Sequence, residues 1–165
     1  MIELLVLDVD GTLTNGQITF SSNGIESKSF DVSDGLAISV WTRHLGKKVA
    51  IITGRNSVIV EQRAKELNIK HLYQGVKNKL EVLENILKEE NLNLSQVAAI
   101  GDDLNDYKML KAVELSFTPQ NGSHYIKDIV DVVCTKSGGD GAVREMIEYI
   151  VKKDNLESEF LAAWL

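Results

Sequence analysis

Leu7-Asp8-Val9-Asp10-Gly11-Thr12-Leu13-Thr14 follows the apolar run Ile2 to Leu7, which only Glu3 interrupts. A short run of this kind reads as a strand buried on both faces, the habit of a parallel sheet. Two carboxylates then stand where the strand ends, and residues two apart on an extended chain point the same way. Asp8 and Asp10 are therefore expected to share one crevice at the carboxyl edge of the sheet, where open α/β folds bind ligands. Gly11 permits a sharp turn that brings backbone N–H groups close to an anion.

The chain has 165 residues, 44% of them hydrophobic, and one proline, which suits a single domain with a full core. A net charge of −6 without a dense Lys/Arg cluster argues against nucleic-acid binding. No apolar stretch is long enough to span a membrane and the amino terminus lacks a signal-peptide pattern, so the expected location is the cytoplasm. Cys134, the only cysteine, ends the apolar run Ile129 to Cys134 and reads as a small buried hydrophobe.

Beyond the first strand, Gln17 to Phe20 and Ile25 to Phe30 flank Ser21-Ser22-Asn23-Gly24, and Asn-Gly between alternating residues signals a hairpin. A two- or four-residue loop would put Ile18, Phe20 and Ile25 on one apolar face of the hairpin, residues 17–30, either against its own domain or at a subunit contact. Helical periodicity runs from Asp34 to Leu45, Ser57 to Leu67, Lys77 to Glu90 and Leu104 to Ala112. A last helix follows Gly141, with Val143, Met146, Ile147, Ile150 and Val151 facing inward. Strands are expected at Val49 to Ile52, His71 to Tyr73 and Val97 to Ile100, with short ones near Leu115 and Val132. This alternation predicts a three-layer α/β/α sandwich around a mainly parallel, Rossmann-like sheet.

Three strand ends deliver Asp8 with Asp10, then Thr53, then Asp102 with Asp103, and Lys79 starts a helix between the last two. If these ends are neighbours, four carboxylates, a hydroxyl and an ammonium crowd one crevice. That much negative charge calls for a cation, and hard oxygen donors suit Mg²⁺. A metal, Lys79, Thr53 and loop amides together describe a clamp for a phosphoryl group.

Asp8-Val9-Asp10-Gly11-Thr12, Thr53-Gly54, Lys79 and Gly101-Asp102-Asp103 are similar, in order and spacing, to the four signature motifs of the haloacid dehalogenase-like phosphatases. The resemblance covers nearly the whole chain. It implies that Asp8 forms an aspartyl-phosphate and that Asp10 protonates the leaving alcohol and then activates water. It further implies that Mg²⁺ is held by the Asp8 side chain, the Asp10 backbone carbonyl and Asp102. Thr53 and Lys79 would bind the phosphoryl oxygens, with Asp103 and Asp106 supporting the metal's ligands and Gly11 and Thr12 close to the substrate. Response-regulator receiver domains also phosphorylate an Asp on such a sheet, but their phosphorylated Asp comes at a later strand end, where this chain offers Thr53. A non-catalytic domain kept for assembly is the other alternative, and the motif set shows no decay.

Residues 14 to 33 hold only the hairpin, and residues 56 to 78 only a helix and a short strand, so no cap domain is expected. A bare crevice either admits large substrates or is closed by neighbouring subunits. The chain resembles most the capless tetrameric sugar-phosphate phosphatases, above all those acting on 3-deoxy-manno-octulosonate 8-phosphate in lipopolysaccharide synthesis. The match lies in Ile51-Ile52-Thr53-Gly54-Arg55, His71-Leu72-Tyr73-Gln74-Gly75, Asn78-Lys79-Leu80 and Gly138 to Glu145. Nonulosonate 9-phosphate phosphatases tend to carry Glu after Thr-Gly, whereas Arg55 suits an octulosonate carboxylate by bidentate pairing. By the same resemblance Arg63 is a second sugar-acid contact, and Ser33, Asp34 and Gly35 line the pocket. Many octulosonate enzymes have Asn-Val-Arg-Asp-Gly at Asp31 to Gly35 and a basic residue at Ser39, departures that bear on the substrate rather than the reaction.

Gly138 to Gly141 suits either a phosphate-cradling loop or a left-handed turn before a helix. Residues 156–165, which end in Phe160-Leu161-Ala162-Ala163-Trp164-Leu165, are expected to form a mobile tail, read either as a frayed helix end or as a cover for a neighbour's active site. His44, His71 and His124 show no metal-ligand spacing.

Overall fold

The computed structural model describes residues 1–165. Strand β1, Leu4–Leu7, is buried at all four positions and pairs in parallel on both sides. A two-stranded ribbon follows, β2 (Thr19–Phe20) and β3 (Glu26–Ser27). Helix α1 (Val32–Ser39) starts two residues before the expected Asp34, because the Asp31 side chain accepts from the N–H groups of Ser33 and Asp34 and caps it. A π-helical turn over Val40–His44 continues α1.

Strands and helices then alternate: β4 (Lys48–Ile52), α2 (Val58–Glu66), β5 (His71–Tyr73), α3 (Lys79–Glu90) and β6 (Val97–Ile100). A 3₁₀ turn at Leu104–Asp106 leads into α4 (Tyr107–Ala112), followed by β7 (Leu115–Thr118), α5 (His124–Lys127), β8 (Val132–Val133), α6 (Ala142–Lys153) and α7 (Glu157–Ala162). No helix is long and apolar enough to cross a membrane.

The main sheet is parallel throughout, in the order β5-β4-β1-β6-β7-β8. From β1 the chain winds outward to β4 and β5, then crosses to β6 on the other side of β1. The direction of winding reverses at β1, and a crevice opens there at the carboxyl ends of the strands. Side chains alternate between two cores. Leu5, Leu7, Val49, Ile51, Ala98 and Ile100 meet Ile38, Trp41, Val60, Ala64 and the expected inward residues of α6. Leu4, Val6, Ala50, Ile52, Val97 and Ala99 meet Leu83, Ile86 and Leu87 of α3 and Met109 and Leu110 of α4. The three layers follow from that alternation.

The ribbon departs from its expected register. Gly24 (φ +81) donates its N–H to the Ser21 carbonyl and Ser21 donates to Ile25, so Ser22-Asn23-Gly24 form a three-residue loop. Thr19 pairs with Ser27 and Phe20 with Glu26. Ile25 therefore lies on the opposite side of the ribbon from Ile18 and Phe20, and the single apolar face does not form. Both Phe20 and Ile25 stay more than 60% exposed. At the other end of the chain, within the segment expected to be mobile, α7 packs on the domain itself: Phe160 is buried in the larger core, with Leu156 and Ala163 against it.

Candidate active site

Strand register brings the motif residues together. Leu7 lies beside Ile51 and Ile100, so the residues that follow β1, β4 and β6 emerge side by side. Asp8 is buried there, its backbone N–H bonded to the Ile100 carbonyl at 3.2 Å. Asn78 caps α3 by accepting from the Glu81 N–H, which sets Lys79 in the first helical position with its side chain turned under the strand ends. Lys79 Nζ donates to Asp8 Oδ1 at 2.7 Å and to Asp106 Oδ1 at 2.5 Å, and the whole side chain is buried. Burial would lower the ammonium's pKa, but the carboxylates of Asp8 and Asp106 outweigh it and raise it.

Asp106, fully buried, also accepts the backbone N–H groups of Asp102 at 3.1 Å and Asp103 at 3.4 Å, and so shapes the loop after β6. Asp103 is exposed; its side chain caps the 3₁₀ turn through the Leu104 N–H. Gly11, at φ +92, leaves its hydrogen where a Cβ would stand 2.1 Å from Asp102 Oδ2; only glycine fits between the two loops. Thr12 is wholly buried, with its hydroxyl unpartnered.

A cleft of about 570 Å³ opens above these groups, with Asp8, Asp10, Thr53, Gly54, Arg55 and Asp102 on its wall. Gly16, Asp103, Leu104 and Asn105 complete it. Of these, Gly16, Leu104 and Asn105 were not expected, because nothing local in the sequence marks a loop residue that merely faces a cleft. The Arg55 guanidinium reaches Glu26 of the ribbon at 3.5 Å. Lys28, another residue not expected here, pairs with Asp10.

Two further contacts hold the Asp10-Gly11-Thr12 turn from a distance. Asn121 Nδ2 donates to the Gly11 carbonyl at 2.9 Å, and its Oδ1 accepts from the Gly138 N–H at 2.7 Å. A Cβ on Gly138 would meet the Gly11 oxygen at 2.1 Å. The Gly138 to Gly141 segment is thus a close-packed turn whose amides are largely spent inside the protein, Gly139 donating to Thr12 and Asp140 to Ser137.

Ser33, Asp34, Gly35 and Arg63, expected at the substrate, do not line this cleft in their own chain. Asp34 is buried between α1 and α6, where its Oδ1 accepts the Arg144 N–H at 2.8 Å and its Oδ2 has no partner. Burial pushes its carboxyl up to about 6. Gly35 lies under Arg63, which bonds the Asp31 carbonyl at 3.2 Å, pairs with Glu66 at 2.9 Å and stacks on Phe30. Ser33 sits beside its own cap, Asp31. Cys134 is buried, and desolvation pushes its thiol up to about 12, consistent with an inert hydrophobe.

Electrostatics shows that negative charge is in excess in the crevice. Burial, then the charges of Asp8 and Asp106, push Asp102 up to about 8; burial and Asp8 push Asp106 up to about 6. Asp8, Asp102 and Asp106 offer carboxylate oxygens within 4.8 Å of one another. One ammonium does not balance them, and a hard divalent cation on the side open to the cleft does. Between about pH 4 and pH 8 the folded protein without metal holds a proton on Asp102 that the unfolded chain has released. Its stability is therefore expected to fall as pH rises through that window. Millimolar Mg²⁺ is expected to remove this slope and to raise Tm more at pH 8 than at pH 5, in thermal unfolding with and without EDTA. A metal-independent Tm at both pH values would exclude a cation site here.

The described geometry has counterparts in known proteins. A family model for haloacid dehalogenase-like hydrolases matches residues 71–147. The chain is 40% identical over 151 residues to the 3-deoxy-D-manno-octulosonate 8-phosphate phosphatase of Escherichia coli, covering 91% of this chain and 79% of that one. It is 36% identical over 159 residues to the phosphatase of that name from Haemophilus influenzae, covering 96% and 88%. The crystal structure of the Moraxella catarrhalis phosphatase, in complex with magnesium ion, phosphate ion and KDO, superposes with a TM-score of 0.93 at 42% identity, over 99% of this chain and 94% of that one. The chain belongs to the haloacid dehalogenase-like hydrolases, in the family of the 3-deoxy-D-manno-octulosonate 8-phosphate phosphatases.

Proposed function

We propose that this protein is a Mg²⁺-dependent phosphatase that converts 3-deoxy-D-manno-octulosonate 8-phosphate into the free sugar acid and phosphate, in the cytoplasm, for lipopolysaccharide synthesis. The observation that carries the proposal is Lys79 bridging Asp8 and Asp106, with Asp102 beside them, beneath a cleft walled by Thr53 and Arg55. Asp8 attacks phosphorus; the bond from phosphorus to the sugar oxygen breaks, and an aspartyl-phosphate forms on Asp8. Asp10 gives its proton to the departing sugar oxygen, then takes one from the water that cleaves the aspartyl-phosphate. This division of labour fits their placement, both on the cleft wall, Asp8 paired with Lys79 and Asp10 with Lys28.

Mg²⁺ would be held by the Asp8 carboxylate, the Asp10 backbone carbonyl and Asp102, and when bound it neutralises charge on the phosphate. Thr53 and Lys79 hold the phosphoryl oxygens, and Asp106 fixes both Lys79 and the Asp102 loop. Arg55 receives the sugar-acid carboxylate. Assembly of a homotetramer through the hairpin belongs to the same reading, with Phe20 and Ile25, exposed on opposite sides of the ribbon, as separate contacts.

Phosphate release from a panel of sugar phosphates, with Mg²⁺ and with EDTA, tests this reading. A Mg²⁺-dependent preference for the octulosonate is expected. Preference for a nonulosonate 9-phosphate would keep the chemistry and assign the change to Ser33 and Ser39. No release from any of them would leave a binding or assembly role as the better account.

A further inference from the structure

Alternation along β3 and the residues after it turns Glu26 and Lys28 to the same side of the ribbon, where they reach Arg55 and Asp10 of the cleft wall. The Lys28 side chain is wholly out of solvent, and its ammonium pairs with Asp10 Oδ1 while lying 3.4 Å from Glu26 Oε1. Arg55 approaches the same Glu26 oxygen at 3.5 Å. A line of alternating charge, Asp10, Lys28, Glu26 and Arg55, thus joins the wall of the cleft to the base of the hairpin.

Burying a lysine is costly, and an apolar residue would fill the same space without that cost. The expense is understandable if the ammonium has a task. With Oδ1 held by Lys28, the Asp10 carboxyl is fixed in rotation and its Oδ2 is left for the reacting groups. We propose that Lys28 is a positioning residue that aims Asp10 at the leaving oxygen, so that the hairpin belongs to the catalytic apparatus of its own chain. This rests on the phosphatase reading given above.

The role has a readout that a merely structural contact would not produce. In the first step the bond from phosphorus to the leaving oxygen breaks as the Asp10 proton passes to that oxygen. A sugar alkoxide is strongly basic and needs the proton; p-nitrophenolate leaves without it. Loss of Lys28 is therefore expected to penalise the two substrates unequally. In Lys28→Met, kcat/KM for the best sugar phosphate of the panel is expected to fall by about tenfold or more, against no more than about twofold for p-nitrophenyl phosphate. Lys28→Arg, which restores a cation, is expected to recover most of the loss. Should Lys28→Met fold poorly by circular dichroism, Lys28→Ala, which also leaves Asp10 Oδ1 without its donor, is expected to show the same unequal losses on the two substrates.

Equal losses on both substrates, or no loss on either, would overturn the assignment. Wild-type protein that releases phosphate from neither would overturn the phosphatase reading, and the role of Lys28 with it.

Discussion

Asp8→Asn is expected to lower turnover by at least about 10⁴-fold while leaving the fold intact. The substitution is nearly isosteric, and the amide oxygen still accepts from Lys79 Nζ in place of Asp8 Oδ1. What it removes is the carboxylate that attacks phosphorus in the proposed reaction. It also removes one of the charges that push Asp102 up, so the metal-free variant is expected to show a flatter dependence of Tm on pH than the wild type between pH 5 and pH 8. Steady-state phosphate release, together with thermal unfolding at the two pH values, checks both effects. Activity within tenfold of wild type would remove Asp8 as the nucleophile. An unchanged pH slope would show that Asp102 does not feel it.

Lys79→Met is expected to have the largest effect on stability. The methionine fills much of the same volume but leaves Asp8 and Asp106 without the ammonium that bridges them at 2.7 and 2.5 Å. Breaking a buried ion pair from one side costs about 3–5 kcal/mol, because the partner charge stays buried and uncompensated. For a chain of this size that corresponds to a fall in Tm of roughly 10 °C. Phosphate release is expected to disappear as well, since the same ammonium faces the transferring group in the proposed reaction. Mg²⁺ is expected to restore part of the lost Tm, and more of it than it adds to the wild type, because the cation then meets a larger excess of negative charge. Thermal unfolding with and without Mg²⁺ measures this. A midpoint unchanged from wild type would show that the carboxylates are neutral without Lys79 and that its bridge is incidental.

How much of the site could be read in advance depended on where each residue's constraint lies. Asp8 and Thr53 stand directly after apolar runs, and Asp10 and Asp102 within three residues of one, so each strand announces its own end. Lys79 was legible through its place at the start of a periodic segment, although its burial was not. Asp106 was placed by resemblance alone, and its bond to Lys79 shows why a carboxylate is required there. Lys28 carried a faint local signal, a charge two residues from Glu26 on one side of an expected strand. The expected apolar face of Ile18, Phe20 and Ile25 concealed it, because a loop of odd length reverses the parity on which that face depended. Asn121 had no signal: its contact with Gly11 spans 110 positions, and neither period nor spacing reports a contact of that kind.

The amino-acid sequence by itself determined the alternation of strands and helices, the parallel sheet and the identity of the groups at its carboxyl edge. Burial periodicity, strand-end punctuation and caps act over a few residues, so they are written locally. Tertiary structure alone decided which of those groups meet. It closed Gly11 against Asp102 and Gly138 against Gly11, set Lys28 on Asp10, and placed Asp34 at the junction of two helices rather than in the cleft. Each of these depends on strand order and loop register, which arise when distant segments pack and which no short stretch of chain contains.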